Sequence, residues 1–572
     1  MKKLFTLLLF ISIVFITNAQ ENKISNEVKN HIKERVDEGI NTGIVVALIN
    51  GENVDYYSYG TADLITGRKV DENSIFEIGS ISKTFTGIMI ADEILKGKMK
   101  TSDPISKYLP ETVKTPTRNG KEITIKDVAT HSSSLPRMPD NFNPSNPNNP
   151  YSDYTIEMAY EFVSRVELTR DIGDKYEYSN LGLGMLGHIL ELQYKKNYDA
   201  VLVDKITSTL GMDNTRVEYT PEMLKNLAKG HNQGEEVESW DLPAFAGAGG
   251  IRSSAVDMVK YIQANMGVIK SPLYDAMQWT HKNAYENESQ KFKIGFTWHY
   301  FNDGVVIQHN GATGGYRAFA GFLKDTQKGF VVLTNSTEGV EEIGIKLIDD
   351  SAELIMPKKS ITREFRKEIK ENGIQGAIAF YKKTKAEEPE KYKFGEQELN
   401  ELGYELLRKK DIEKALEVFK LNVEMFPKAS NPYDSLGEAF LIKGDTINAI
   451  ANYKKSVELN PGNENGIKVL GGLGIETESL VKEVSVSAEI LKTYEGKYQL
   501  GPDFFITITS KGQQLFGLPT GQAQAELFPK SNTEFYLKVV PASVIFYKDD
   551  AGKVESLTLF QGGLEMPGKK IE

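Results

Sequence analysis

Cysteine is absent from all 572 residues. That excludes disulfides, thiolate metal sites, a cysteine nucleophile and a lipid-modified N-terminal cysteine. Histidine is scarce. The seven copies run from His31 to His309, and none sits in an H-E-x-x-H or comparable spacing, so no metal is implied. Excess positive charge is missing too. Lys and Arg total 68 against 79 Asp and Glu, a net charge of −11, and no basic face offers itself to nucleic acid. No G-x-S-x-G elbow is present, which disfavours an α/β-hydrolase. The glycine-rich Gly247-Ala248-Gly249-Gly250 has no phosphate-loop lysine, so neither nucleotide nor any other cofactor is expected.

Long apolar runs are also lacking. Leu4 to Ile16 follows Lys2 and Lys3 and leads into Thr17-Asn18-Ala19. It falls short of the roughly 20 residues of a spanning helix, and the pattern is that of a secretory signal peptide, residues 1–19, cleaved after Ala19. The mature chain is then expected to be periplasmic or secreted, with no membrane span. Apolar residues make up 40% and charged residues 26%, ordinary values for a folded chain that must hold itself by its core.

What is present divides into three parts. In the first, residues 24–356, Ile44 to Ile49 reads as a buried strand. Val54 to Tyr59 is its hairpin partner across Asn50-Gly51-Glu52-Asn53. Ile81, Phe85, Ile88, Met89 and Leu95 follow helix spacing, and Gly329 to Thr334 is a further strand. Strands at both ends with helices between predict an α+β or α/β layered domain. Residues 139–150 form a Pro/Asn-rich loop, a lid or a plain surface excursion.

The second part, residues 366–470, shows a recurrence. Leu402-Gly403 returns as Leu436-Gly437, Ala415-Leu416 as Ala449-Ile450, Phe419 as Tyr453 and Pro427 as Pro461, always 34 residues on; a fainter copy is GIQGAIAFYK at 373–382. This resembles tetratricopeptide repeats and predicts an all-α segment that binds a protein or peptide partner or docks on the catalytic part. The third part, 488–572, alternates with period two in Phe505–Ile508, Glu534–Leu537, Val544–Tyr547 and Val554–Leu557, with a turn at Asp550-Ala551-Gly552. It predicts a small antiparallel β domain.

The chemistry centres on FEIGSISKTF, residues 76–85. If a helix begins near Ser80, Lys83 lies one turn on and on the same face, roughly 5–6 Å away at Cβ. Ser82 points elsewhere, about 200° round the helix. Ser80 is therefore the candidate nucleophile, and a helix N-terminus favours its developing negative charge. S-x-x-K alone is weak, and Ser479 to Lys482 repeats it without companions. A serine hydroxyl needs a base. Lysine and tyrosine ordinarily titrate near 10; burial lowers the first, and a nearby ammonium lowers the second.

FEIGSISK closely resembles the active-site motif of class C β-lactamases and their relatives among penicillin-binding proteins, D-aminopeptidases and esterases. Two further motifs follow in the family's order: Tyr178-Ser179-Asn180, similar to its Y-x-N, and His309-Asn310-Gly311 at its third motif. Tyr285-Glu286-Asn287 and Tyr300-Phe301-Asn302 also match Y-x-N, but only Tyr178 follows a Gly173-Asp174 turn and precedes a glycine-rich helix. The resemblance spans about residues 24–356. It implies Ser80, Lys83 and Tyr178 as catalytic residues, with either Lys83 or Tyr178 as base. It implies Asn180, His309 and Gly311 at the substrate and an oxyanion hole from the N–H groups of Ser80 and Ala312.

One departure stands out. The family's β-lactamases place a lysine where this chain has His309, which is only partly charged at neutral pH; Arg317 is the candidate to restore a cation. His131-Ser132-Ser133-Ser134-Leu135-Pro136 resembles the family's H-T-S-G-L-P loop, with Ser134 in place of glycine. The sequence thus predicts a serine hydrolase acting through an acyl-enzyme on small-molecule or peptide substrates: β-lactams, or amides and esters of D-amino acids. The rivals are an esterase on the same scaffold and an inert binding protein that uses its repeats.

Overall fold

The computed structural model describes residues 23–287, 292–301, 304–477, 484–502, 504–520, 522, 524–549 and 552–571. The leader read over 1–19 and the second S-x-x-K at 479–482 lie outside them, as do Asn302 and most of the 550–552 turn.

The first part is built on a nine-stranded sheet. Strand β1 (Gly43–Asn50) is buried along all but its last residue. That requires cover on both faces, and its unbroken run GIVVALIN supplies apolar side chains to each. It pairs with β2 (Asn53–Asp63) through a hairpin closed at Asn50 and Asn53, and on its other edge with Lys328–Thr334. Gly51 takes φ +63° in that turn, a left-handed conformation that glycine adopts at little cost.

One sheet face carries Val46, Phe319 and Val332 against helix α1 (Asn26–Asp37) and the helix Glu341–Ile348. The buried Arg35 ties these two helices. It donates to Asn41 Oδ1 at 2.8 Å and pairs with Glu342. The opposite face carries Val45, Ala47, Ala320 and Val331 into the main core. Behind it lies α2 (Ser82–Leu95), buried from Ser82 through Glu93.

The tetratricopeptide assignment does not hold. The C-terminal region is a closed eight-stranded barrel running from Gly496–Gln499 to Leu564–Lys570, and the segment before it is helix-rich. Its helices Glu396–Arg408, Ile412–Met425, Ser430–Lys443 and Thr446–Leu459 are of nearly equal length. Equal helices joined by short turns return the same packing positions at a fixed interval. The 34-residue offset therefore reports helix and turn lengths rather than a family. The recurring glycines have a local cause: a Cβ on Gly403 would lie 2.4 Å from the Phe419 ring, and one on Gly437 3.0 Å from the Tyr453 ring.

Gly403→Ala is expected to destabilise this helical segment by about 1–3 kcal/mol, with Gly437→Ala milder. Amide hydrogen exchange across residues 396–459 checks this. Unchanged protection in Gly403→Ala would contradict the packing described.

Candidate active site

A short 3₁₀ turn, Gly79–Ile81, precedes α2, so Ser80 sits just ahead of the helix and Lys83 in its first turn. The amine of Lys83 lies 3.0 Å from Ser80 Oγ and donates to the carbonyl of Ala248 at 2.6 Å. Ala248 reaches it because two glycines meet. A Cβ on Gly247 would fall 2.7 Å from Cα of Gly187, on the helix Asn180–Tyr194. The glycine-rich turn at 247–250 thus has a packing reason. Ser82 is turned away and buried, and its Oγ accepts from the Ile251 N–H at 3.1 Å.

Tyr178 completes the cluster. Its ring centre lies 4.8 Å from Lys83 Nζ, and one face stacks on His131 at 4.4 Å. His131 Nδ1 accepts from the N–H of Ser179 at 3.0 Å, and Ser179 caps the helix Asn180–Tyr194. His299 lies 3.0 Å from the Tyr176 hydroxyl through Nε2, and its ring centre is 4.6 Å from that of His309. The competing tyrosines at 285 and 300 lie in other strands of the sheet. The Tyr300 hydroxyl donates to the His281 carbonyl.

Burial dominates the electrostatics here. It pulls the Lys83 amine well below the ordinary lysine range, and the charge of Arg137 adds to the effect. It pushes the Tyr178 phenol up to about 12, against the hydrogen-bonding influence of Ser80 and the charge of Arg137. The expectation that a nearby ammonium lowers this tyrosine is therefore reversed: the desolvation of a largely enclosed ring outweighs it. Burial, helped by the Lys83 charge, also holds His299 at about 4 and His131 well below the ordinary histidine value.

His309 is buried and likewise held well down, by burial first and then by His299 and Lys83. Its Nδ1–H donates to the Asn310 carbonyl at 2.6 Å, which leaves Nε2 buried without a partner among the described residues. Both effects favour the neutral imidazole over the cation.

The strand Val306–Ala312 passes directly over the Ser80 turn. A Cβ on Gly311 would lie 1.9 Å from the Ile78 carbonyl oxygen and 3.2 Å from the Ser80 nitrogen. A Cβ on Gly79, at φ +49°, would lie 2.6 Å from the Ala312 nitrogen. Thr313 N–H donates to Tyr316 O at 3.1 Å. The alternation of antiparallel pairing then leaves Ala312, opposite Arg317, at a non-hydrogen-bonded position. Its N–H points away from the neighbouring strand, on the edge nearest Ser80.

Arg317 is not where the sequence reading needs it. It lies two residues from Phe319, on the sheet face covered by α1 and Glu341–Ile348. Its guanidinium caps the carbonyls of Thr313 and Tyr316 at 3.1 and 2.9 Å. The side chains of Ala318 and Ala320, which flank His309, point to the other face. The strand alternates sides, and position 317 falls on the wrong one.

Ser80 opens into a small cavity walled by Tyr151, Asn180, Trp240, Phe245 and Thr313. Sequence reasoning missed the aromatic walls. Tyr151 immediately follows the Pro/Asn-rich loop, which is pinned there: the Asn149 amide donates to Asp241 Oδ2 at 3.0 Å and accepts from the Asp241 N–H at 2.8 Å. The one available signal was that asparagine-dense composition. Asn180 lines the cavity, and its amide also contacts Met138 Sδ at 3.8 Å. Among the described residues no group of acidic, histidine or cysteine side chains could hold a metal ion, and no helix is long and apolar enough to cross a membrane.

Residues 28–352 match the family model described as Beta-lactamase, and 481–571 match one described as Domain of unknown function (DUF3471). The D-alanyl-D-alanine-carboxypeptidase/endopeptidase AmpH of Escherichia coli is 26% identical over 307 residues, 51% of this chain and 79% of that protein. A protein named Beta-lactamase from the same organism is 24% identical over 326 residues, 51% of this chain and 83% of the other. A solved class C beta-lactamase, 21% identical, superposes with a TM-score of 0.50 over 58% of this chain and 98% of its own, a likeness of fold.

Ser134 adopts φ +67°, and its buried hydroxyl has no partner among the described residues. A left-handed non-glycine residue costs roughly 1–2 kcal/mol, partly offset by the greater chain entropy of glycine. Ser134→Gly is therefore expected to raise stability by up to about 1 kcal/mol, measured by denaturant unfolding. A loss of stability would show that the serine hydroxyl has a stabilising role.

Proposed function

The chain belongs to the beta-lactamase family and is a serine hydrolase, and from there we propose that Ser80 forms an acyl-enzyme with β-lactams or with amides and esters of D-amino acids. The observation that carries this reading is the 3.0 Å approach of a buried, carboxylate-free amine to Ser80 Oγ. An amine held below its ordinary range can take the serine proton near neutrality, whereas a phenol pushed up to about 12 is a poor resting base. We therefore assign Lys83 as the base and Tyr178 as a neutral phenol that passes the proton on.

In acylation the Ser80 proton goes to Lys83 Nζ as Oγ attacks the scissile carbonyl. The N–H groups of Ser80 and Ala312 would hold the oxyanion, an arrangement that typically contributes a few kcal/mol. The leaving nitrogen or oxygen takes the proton back through Tyr178. Water then attacks the acyl carbonyl and gives its proton to the same pair, which returns it to Ser80 Oγ as the acyl–oxygen bond breaks and the acid leaves. Asn180 would hydrogen-bond the acyl group. A neutral His309 supplies no permanent charge, which weighs against fast β-lactam turnover and towards amides and esters. The catalytic unit is placed at residues 24–356, and export by the leader read over 1–19 belongs to the same proposal.

Intact-mass spectrometry after exposure to a penicillin, a cephalosporin, a D-alanyl peptide and an aryl ester tests it. One acyl adduct is expected on Ser80, absent in Ser80→Ala and retained in Ser82→Ala. An adduct that survives Ser80→Ala, or none with any of the four, overturns the assignment.

A further inference from the structure

A site that recognises an anionic substrate needs a cation near its mouth, and the strongest such contacts pair a guanidinium with a carboxylate. Neither residue suggested by the sequence provides one. His309 is a buried imidazole whose Nδ1–H is spent on Asn310, and Arg317 caps a turn on the far face of the sheet.

Arg137 remains. It follows the Ser132–Pro136 loop, and its side chain is exposed. Its guanidinium carbon lies 5.1 Å from the centre of the Tyr178 ring, the ring beside Lys83. Its carbonyl accepts the N–H of Asn180 at 3.0 Å, which fixes the residue to the Asn180 side of the cavity. Its charge is felt at Lys83, Tyr151 and Tyr178, so it stands close to the nucleophile's surroundings. Among the described residues it forms no ion pair. The aromatic ring beneath it restrains the side chain without consuming an N–H donor, so its donors stay available to a carboxylate at little further cost in ordering.

We propose that Arg137 is a specificity-determining residue that selects substrates bearing a carboxylate on the Asn180 side of the Ser80 cavity. This rests on the reading of that cavity as the substrate site. It predicts a preference for acyl donors with a free acid group over their neutral derivatives, even though the third motif carries no lysine.

The test is equilibrium binding, followed by ligand-observed NMR, to the full chain carrying Ser80→Ala. The probes are matched acyl amides that end in a free carboxylate or in its methyl ester. The free acid is expected to bind about tenfold more tightly, as a charge-assisted hydrogen bond implies. The preference should shrink as salt is raised. Arg137→Gln should bring the ratio of the two affinities close to one, and Arg137→Lys should keep part of it. Equal binding of acid and ester, or a ratio unaltered by Arg137→Gln, overturns the proposal. A merely structural role for Arg137 on Tyr178 would weaken both ligands together and leave the ratio unmoved, which also overturns it. Because binding is read without the Ser80 hydroxyl, failure of Ser80 to acylate in the unaltered protein would refute the acyl-enzyme and leave this selectivity standing or falling on its own evidence.

Discussion

An amine enclosed without a counter-ion is the constraint from which the site follows. Taking an ammonium out of water is costly unless a carboxylate compensates, and a buried lysine responds by giving up its proton. Lys83 has a carbonyl, a hydroxyl and an aromatic face as neighbours, and no acid pairs with it among the described residues. Its hydrogen-bond partners are acceptors, and the charge of Arg137 nearby disfavours the ammonium further. The same enclosure keeps Tyr178 protonated and three histidines uncharged. One physical cause, desolvation, therefore sets the protonation state of the whole cluster and separates the roles of base and relay.

Keeping water out demands close backbone contacts, and glycine makes them possible. Gly187 against Gly247 brings the Ala248 carbonyl to the amine, and Gly311 against Ile78 brings the Ala312 N–H to the Ser80 turn. Neither contact tolerates a methyl group without movement. The nine-stranded sheet holds the third motif in register with the helix that carries the first. Tyr151, just past the pinned loop between Pro139 and Asn149, closes the remaining side. Rigid elements thus carry the reacting atoms, while a pinned loop shapes the entrance.

Much of this was legible in the residues, for reasons that differ from place to place. Strand β1 was readable because GIVVALIN is apolar on both faces, and the α2 register because Ser80 and Lys83 fall one turn apart. The order of three motifs pointed to Tyr178 and the His309 strand, where each match alone was ambiguous. The face on which Arg317 lies was not readable, because side depends on where pairing starts, and a shift of one residue inverts it. The direction of the Tyr178 shift was missed because the degree of burial is a tertiary property. The helical recurrence misled for a related reason: repeated packing geometry copies a sequence signature. Closure of the C-terminal strands into a barrel depends on Gly496–Gln499 meeting Leu564–Lys570, a pairing between ends that no local pattern announces.

The most direct measurement is the titration of a single nitrogen. With ¹⁵N-labelled lysine and Lys83→Met for assignment, NMR can follow Nζ of residue 83 in the folded full-length chain. A midpoint far below that of the surface lysines, reached while the fold is intact, is what the enclosure of this amine requires. A midpoint at the ordinary lysine value, near 10.4, would mean that the ammonium persists beside Ser80, and Lys83 could not be the group that takes its proton.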